Sequence, residues 1–297
     1  MSHMSNQLEV LQGIGWPAPA KLNLFLHITG QRPDGYHLLQ SAFQFVDFGD
    51  ELYFELRDDG QVRLSEPLPG VAEEDNLVVR AARLLQQDSQ TARGVTIRVE
   101  KNLPMGGGLG GGSSDAATTL VVLNILWQCG LDENELAQLG LKLGADVPVF
   151  VRGEAAWAEG VGELLTPILL DEPWFVVLSP DIEVSTAEIF SHPQLQRDCR
   201  AITIRDFLAG TDVRNVCETV VRGYYPVVNK ALEQLSSYSP ARMTGTGACV
   251  FAAFESEELA RTVYASLADK WSGFVARGVN LSPLKKTVNK FCNESAK

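Results

Sequence analysis

Apolar and polar positions alternate over residues 20–26 and predict a β-strand near the start of the chain. Leucine occupies positions 22, 24 and 26, and the residues between them are Lys21, Asn23 and Phe25. Side chains two positions apart point to the same face of a strand. We therefore expect Lys21, Asn23 and Phe25 to share one face, which would place a lysine beside an asparagine.

Periodicity along the rest of the chain predicts the other elements. Helices are predicted over about residues 76–87, 115–129, 131–144, 229–237 and 257–270. Strands are predicted over residues 94–100, 174–178 and 249–254. The helix at 115–129 is apolar nearly all round and precedes Gly130, as is typical of a buried helix with a glycine stop. Helices and strands are interspersed without a regular βαβ order, which predicts the α+β fold class.

Composition and charge narrow the possible functions. The chain has 297 residues, 45% of them hydrophobic, and a net charge of −12 at pH 7. This length allows one large or two moderate domains, and the acidic balance argues against a surface that coats nucleic acid or membrane. Five cysteines without a CxxC pair indicate reduced thiols and a cytoplasmic protein. No apolar run approaches the roughly 20 residues of a membrane span. The opening MSHM resembles a cloning remnant, so we expect the natural start at Met4.

The most unusual stretch is the glycine cluster KNLPMGGGLGGGSSDAA at residues 101–117. Glycine is costly to order on folding, so the cluster needs a specific reason. It stands between a predicted strand and a predicted helix, which Ser113, Ser114 and Asp115 are expected to cap. A glycine loop that leads into a helix presents free backbone N–H groups and the positive end of the helix dipole. The cluster therefore predicts a phosphate site, against the alternative of a flexible turn.

Two familiar phosphate loops do not match this spacing. A Walker A loop requires a lysine before its last serine or threonine, and this sequence has Ser113 at that position. A GxGxxG frame exists at Gly106, Gly108 and Gly111, but such frames are nearly automatic in so glycine-rich a run. A dinucleotide fold would also need a second strand about 20 residues on, where residues 131–144 are predicted to be helical. Neither class is indicated.

Three motifs follow one another along the chain, namely PAKLNLFL at 19–26, PMGGGLGGGSS at 104–114 and TGTGACVF at 244–251. In sequence and order they resemble the motifs of the GHMP kinases, the superfamily of galactose, homoserine, mevalonate and phosphomevalonate kinases. The resemblance extends from about Trp16 to Leu284 and is weakest over residues 183–215. It implies a two-domain GHMP kinase fold with the active site in the cleft between the domains, and ATP and Mg²⁺ as cofactors.

Three further stretches are informative, namely RPDGYH at 32–37, LGADVPVFV at 143–151 and AEGVGE at 158–163. They resemble the branch of this superfamily that phosphorylates a cytidine diphosphate polyol in the non-mevalonate isoprenoid pathway. The resemblance implies direct transfer of the ATP γ-phosphoryl group to a hydroxyl of that polyol. Two alternatives stay open, namely a GHMP kinase for another alcohol such as homoserine or mevalonate, and a nucleotide-binding regulator that has lost catalysis.

The resemblance also implies the catalytic and ATP-binding residues. Lys21 could be a surface lysine and Asp146 a cap or turn residue, but the resemblance implies that Asp146 is the catalytic base and Lys21 its partner. The role of Asp115 stays open between a helix cap, a residue that faces away and a metal contact through water, and the metal ligands are unassigned. The implied ATP-binding residues are Pro104, Met105, Gly106, Gly107, Gly108, Leu109, Gly110, Gly111, Gly112, Ser113 and Ser114.

Substrate contacts are implied at four other positions. Asn23 would contact the substrate, and Tyr36, His37 and Phe190 would form the cytidine pocket, against the alternative that these rings pack on the core. The TGTG loop at 244–247 is implied to lie against the glycine-rich segment at 104–114, the phosphate loop. The sequence alone would also allow a simple turn at 244–247.

The resemblance and the composition together predict how the chain is organised and what it binds. We expect an N-terminal domain at 13–165, with the ATP loop, the catalytic pair and the cytidine loop, and a C-terminal domain at 166–297. The expected ligands are ATP and a small-molecule substrate, a cytidine diphosphate polyol, with no nucleic acid and no membrane. We expect a monomer or a weak homodimer.

Overall fold

The computed structural model describes residues 13–68 and 70–295, which form a mixed sheet flanked by helices. The strands are β1 (Trp16–Gln31), β2 (His37–Arg57), β3 (Val62–Leu64), β4 (Gly94–Glu100), β5 (Ala156–Glu159), β6 (Leu164–Pro167), β7 (Trp174–Ser179), β8 (Ala241–Met243), β9 (Val250–Phe254) and β10 (Ser272–Val279). The helices are α1 (Leu77–Ser89), α2 (Gly111–Leu126), α3 (Glu133–Leu141), α4 (Val147–Arg152), α5 (Thr186–Ser191), α6 (Ile204–Leu208), α7 (Val216–Tyr224), α8 (Pro226–Ser236), α9 (Glu257–Leu267) and α10 (Pro283–Ser295).

The strands of the described residues join in one ten-stranded sheet, whose main path runs β3-β4-β2-β10-β7-β9-β8. The long strand β2 pairs in antiparallel fashion with β1, β4, β5 and β10. It therefore connects the strands of the N-terminal half to those of the C-terminal half. Helices and antiparallel strands mix without a repeated βαβ unit, which confirms the predicted α+β class.

Strand β1 carries Lys21 and does not keep a strict alternation. Its register on β2 shifts between Asn23 and Leu26, and such an irregularity redirects the side chains that follow it. Lys21 and Asn23 both line the cleft described below, but Leu26 also does so and Phe25 does not. The predicted shared face is therefore wrong for Phe25, which is fully buried beside Trp157.

Two main apolar cores correspond to the two halves of the chain. The first lies between the sheet and helices α1 to α4, and the second lies between β7, β9 and helices α7 to α9. The division into domains at 13–165 and 166–297 stays a proposal, and the packing modifies it at one end. Helix α10 packs on the first core, where the ring of Phe291 lies 5.4 Å from that of Trp16, so we propose that it belongs to the N-terminal domain.

A third apolar cluster joins the two halves next to the phosphate loop. Leu22 of β1 and Leu109 of the loop pack there with Phe175 and Phe251 from the strands of the second half. These side chains are nearly or fully buried. The loop is thus attached to both halves through a shared core.

The predicted elements are present with shifted ends. Strand β4 has the predicted bounds, whereas the helix predicted at 115–129 begins earlier, at Gly111, and ends at Leu126. The sequence pattern places the whole glycine cluster in the loop, but its last two glycines already have helical geometry. Among the described residues, no helix has the length and apolar character needed to cross a membrane.

Candidate active site

A cleft between the two halves contains a cavity of about 840 Å³. The cavity is lined by β1 and the loop that precedes α2, and by residues 183–190 and 245–247. A cavity of this size suits a small-molecule ligand.

The glycines of the phosphate loop allow backbone conformations that other residues disfavour. Gly106, Gly108 and Gly110 have φ angles of +68°, +77° and +75°, in the left-handed region where a side chain raises the conformational energy. A Cβ atom on Gly108 would lie 2.3 Å from the carbonyl oxygen of Thr244, and one on Gly110 would lie 2.8 Å from the ring of Phe150. The loop can therefore fold tightly against its neighbours only because these positions lack side chains.

Helix α2 begins without a side-chain cap, so the capping predicted for Ser113, Ser114 and Asp115 is wrong. The residue at the N-cap position is Gly110, and the helix starts at Gly111, ahead of the three predicted caps. The N–H of Ser114 donates to the carbonyl of Gly110 over 2.8 Å. The backbone N–H groups before that of Ser114 have no i to i−4 partner within the helix, so they can donate to a bound anion.

The implied ATP-binding residues offer different groups to the cleft. Those that line the cavity are Gly106, Gly108, Gly110 and Ser113. The side chain of Leu109 is buried in the third apolar cluster, so only its backbone belongs to the loop surface. Met105 is 58% exposed, and the hydroxyl of Ser114 is buried and has no hydrogen-bond partner among the described residues.

Lys21 and Asp146 lie together in the cleft. The Lys21 ammonium is 3.1 Å from an Asp146 carboxylate oxygen and donates to the side-chain oxygen of Asn23 over 2.5 Å. The Lys21 side chain is only 4% exposed, while that of Asp146 is 35% exposed and faces the cavity. The phosphate loop also holds the backbone of Lys21, because the N–H of Lys21 donates to the carbonyl of Leu109 over 3.0 Å.

The alternative role of Asp146 as a helix cap is not supported by its contacts. Asp146 occupies the N-cap position of α4, followed closely by Pro148, but its side chain makes no capping hydrogen bond. Its carboxylate is directed at Lys21 instead. The start of the short helix α4 therefore fixes the backbone of Asp146, while its carboxylate extends into the cleft beside Lys21.

Asn23 has two side-chain partners in addition to its place in the cavity wall. Its amide nitrogen donates to the hydroxyl of Ser41 over 2.9 Å, and its amide oxygen accepts from Lys21. The hydroxyl of Ser41 in turn donates to the carbonyl of Phe25 over 2.6 Å. Asn23 is thus well placed to orient Lys21 as well as to meet a substrate.

Asp115 faces away from the cavity, which decides among the options left open by the sequence. Its carboxylate is buried and lies 3.0 Å from the ammonium of Lys101, which also pairs with Asp50. Burial raises the pKa of Asp115 to about 7, with Lys101 acting against this shift and Asp50 adding to it. Asp115 belongs to a buried charge cluster behind the loop.

The TGTG loop contacts the phosphate loop, as the resemblance implies. The hydroxyl of Thr244 accepts from the backbone N–H of Asn23 over 3.0 Å and lies 3.3 Å from the carbonyl of Gly108. The backbone N–H of Cys249 donates to the carbonyl of Gly107 over 3.0 Å. These bonds connect the C-terminal half to both β1 and the loop.

The residues implied for the cytidine pocket are only partly brought together. His37 and Phe190 stack with their ring centroids 5.3 Å apart. Arg197 donates from Nε to Nε2 of His37 over 3.0 Å and from Nη2 to the carbonyl of Phe190 over 2.9 Å. Burial, followed by the charge of Arg197, lowers the pKa of His37. Tyr36 is 63% exposed, and of the three implied residues only Phe190 lines the cavity.

Sequence reasoning missed several residues in and beside the cleft. Arg197 holds both rings of the implied pocket, but it lies in the segment where the resemblance is weakest. The hydroxyls of Thr186 and Thr246 are 2.8 Å apart and join the wall at 183–190 to the TGTG loop. The motif TGTG could have drawn attention to Thr246, whereas no local signal marks Arg197 or Thr186.

The chain matches known sequence families and a named relative. Residues 76–154 match the family described as GHMP kinases N terminal domain, and residues 201–273 match GHMP kinases C terminal. The 4-diphosphocytidyl-2-C-methyl-D-erythritol kinase of Nitrosococcus oceani is 59% identical over 275 residues, which cover 93% of this chain and 98% of that protein.

Solved structures show the same fold. A crystal structure of 4-(cytidine 5'-diphospho)-2C-methyl-D-erythritol kinase has a TM-score of 0.79 and 29% identity, covering 89% of this chain and 99% of its own. A mevalonate kinase structure has a TM-score of 0.67 at 14% identity, covering 90% of this chain and 100% of its own, and shows the fold alone. The predicted two-domain GHMP kinase fold is confirmed.

Proposed function

The chain belongs to the GHMP kinase family, within the group of 4-diphosphocytidyl-2-C-methyl-D-erythritol kinases, and on that premise we propose that it transfers the γ-phosphoryl group of ATP to the 2-hydroxyl of 4-diphosphocytidyl-2-C-methyl-D-erythritol. This is a step of the non-mevalonate isoprenoid pathway. The observation that carries the proposal is the contact of 3.1 Å between Lys21 and Asp146 at the wall of the cleft, beside the phosphate loop.

Asp146 is the proposed base. Phosphoryl transfer depends mainly on positioning and on stabilisation of charge, and a carboxylate near the attacking hydroxyl can accept its proton as the new bond forms. The carboxylate is partly exposed to the cavity, so a bound alcohol could reach it. The nearly buried Lys21 ammonium would orient Asp146 and stabilise negative charge that develops on the transferred group.

The phosphate loop is the proposed ATP site. Its glycines and the start of α2 present backbone N–H groups next to the Lys21–Asp146 pair, an arrangement that favours phosphate oxygens. Mg²⁺ fits as a companion of the nucleotide, because it is commonly held by one or two protein oxygens together with phosphates. Ser113 and Glu183 place oxygen-bearing side chains at the cavity. When bound, the ion would screen the charge of the phosphates.

Phe190 and His37 are the proposed contacts for the cytosine ring, with Tyr36 approaching from its exposed loop. Nε2 of His37 accepts from Arg197, so in the neutral ring the proton resides on Nδ1. Nδ1–H could donate to a ring acceptor of cytosine. Because His37 and Phe190 already stack on each other, a base would have to lie on the free face of Phe190 or separate the two rings.

A panel of acceptor alcohols tests the proposal. ADP release would be measured with the cytidine diphosphate polyol, the polyol phosphate without cytidine, a uridine analogue, mevalonate and homoserine. We expect turnover with the cytidine compound and little with the others. Efficient phosphorylation of mevalonate or homoserine would favour a kinase for another alcohol, and ATP binding without turnover of any acceptor would favour a regulator without catalysis. The cytoplasmic location and the oligomeric state stay predictions.

A further inference from the structure

A buried charge cluster lies behind the phosphate loop, outside the cavity. It consists of Asp50 in β2, Lys101 directly after β4 and Asp115 in α2. The side chain of Asp50 is 0% exposed and that of Asp115 is 4% exposed. Burying charged groups is costly, so such a cluster calls for a physical role.

The cluster holds both ends of the phosphate loop. At the start of the loop, one carboxylate oxygen of Asp50 accepts from the backbone N–H groups of Asn102 and Leu103 over 2.7 and 2.8 Å. At the far end, Lys101 pairs simultaneously with Asp50 and, over 3.0 Å, with Asp115 in the first turns of α2. One lysine thereby connects β2, the beginning of the loop and the helix that follows it.

The cluster also lies directly beneath the first residue of α2. A Cβ atom on Gly111 would be 3.5 Å from both the ammonium of Lys101 and a carboxylate oxygen of Asp50. The helix start is therefore seated on the cluster. A shift of Lys101 or Asp115 would displace the backbone N–H groups that face the cleft.

We infer that Asp50, Lys101 and Asp115 are positioning residues for ATP, which fix the phosphate loop and the start of α2 in the geometry that receives the phosphates. None of the three lines the cavity, so they act through the backbone they hold. The inference rests on the proposed use of the loop for ATP. Loss of the lysine would remove the group that joins Asp50 to Asp115, so the start of the loop and the first turns of α2 would no longer be held together.

Affinity for an unhydrolysable ATP analogue with Mg²⁺, measured by calorimetry, tests the role of Lys101. In Lys101→Met we expect Kd to rise roughly 10- to 100-fold, the scale of a small misplacement of binding groups. KM for the cytidine substrate should change by less than about threefold, since this group lies behind the ATP loop. Lys285→Met is the matched control. Lys285 of α10 also pairs with a carboxylate, that of Glu133 in α3, but neither residue lines the cavity.

The combination with Asp115→Asn tests whether the two residues act as one unit. Alone, Asp115→Asn should weaken ATP binding, because it weakens the pair with Lys101. In the Lys101→Met background it should change the affinity by less than about threefold, because that pair is already absent. Losses that multiply in the double variant would show that the two residues act independently, and the inference would be wrong.

Two further outcomes would also overturn the inference. Wild-type ATP affinity in a folded Lys101→Met protein would show that the cluster only stabilises the fold, as would a lowered Tm with unchanged Kd. Parallel losses for ATP and the cytidine substrate would indicate general disorder. Because ATP affinity is measured without an acceptor, failure of the proposed substrate would leave this test intact, and loss of ATP binding in the wild-type chain would remove its premise.

Discussion

The two ends of the cleft differ in how far their binding groups are already in place. At the phosphate end, Lys21 and Asp146 are in contact, and the loop is bonded to β1, to the TGTG loop and to the buried charge cluster. At the cytidine end, Tyr36 is mostly exposed and His37 and Phe190 stack on each other.

This difference has a physical reason. Phosphates are recognised by backbone N–H groups and fixed charges, which a folded loop can hold in advance. A base is recognised by the faces of aromatic rings, which in the absence of the base cover each other and reduce their exposure to water. We therefore expect the phosphate end to bind with little rearrangement, and the cytidine end to require movement of rings.

The largest expected effect is at the centre of the phosphate end. Asp146→Asn keeps the shape of the side chain and removes its capacity to accept a proton, so kcat should fall by about 10²–10⁴, while KM for ATP should change little. Steady-state kinetics at saturating ATP provides the measurement. Asp132→Asn, at the capped start of α3, is the control and should retain full activity.

A double substitution sharpens the same prediction. If Lys21 acts with Asp146, the variant carrying Lys21→Ala and Asp146→Asn should be less impaired than the product of the two single effects. Multiplicative losses would show that the two residues act independently. That outcome would contradict the catalytic pair but would leave the ATP site untouched.

The phosphate end was largely predictable from the sequence, because its signals are local. A glycine run between a strand and a helix indicates backbone chemistry, and the alternation predicts the shared face on which Lys21 and Asn23 line the cleft. Two details were not predictable. The register shift that sends Phe25 into the core depends on β2, and the helix start at Gly111 depends on the left-handed conformation of Gly110.

The cytidine end was less predictable for a related reason. RPDGYH marks a turn with aromatic residues, but the partner that fixes His37 is Arg197, which lies far along the chain. Likewise, α10 packs on the N-terminal core through the contact of Phe291 with Trp16, and no local sequence pattern predicts that contact. Contacts between residues far apart in the sequence depend on tertiary packing, whereas hydrophobic periodicity predicts only local secondary structure.

The next largest effect tests how rigid the phosphate end is. Gly108→Ala would place a Cβ atom against the carbonyl oxygen of Thr244 and should raise Kd for ATP roughly 10- to 100-fold. Gly130→Ala is the matched control, because Gly130 has a φ of +75° and a Cβ atom there would meet no neighbouring group within 4 Å. Both variants carry the same backbone strain. Equal ATP affinity in the two would show that the close contact with Thr244 is unimportant.

At the cytidine end, Phe190→Ala and Tyr36→Ala should each raise KM for the cytidine substrate by about tenfold, since a base stacked on an aromatic ring gains on the order of 1–3 kcal/mol. KM for ATP should stay near the wild-type value. Steady-state kinetics with each substrate varied in turn gives both constants. An unchanged KM in Tyr36→Ala alone would leave Phe190 as the stacking partner and remove Tyr36 from the pocket.

The smallest expected effect concerns the contact between the segment at 183–190 and the TGTG loop. Thr246→Val removes the hydroxyl that lies 2.8 Å from that of Thr186, and one such hydrogen bond contributes about 0.5–1.5 kcal/mol. KM values for both substrates should rise by roughly two- to tenfold, because the wall at 183–190 faces the phosphate loop at one end and carries Phe190 at the other. Thr262→Val is the control, since its hydroxyl donates within α9, to the carbonyl of Glu258. A change in KM for ATP alone would assign the contact to the phosphate end, and a change for the cytidine substrate alone would assign it to the end that moves.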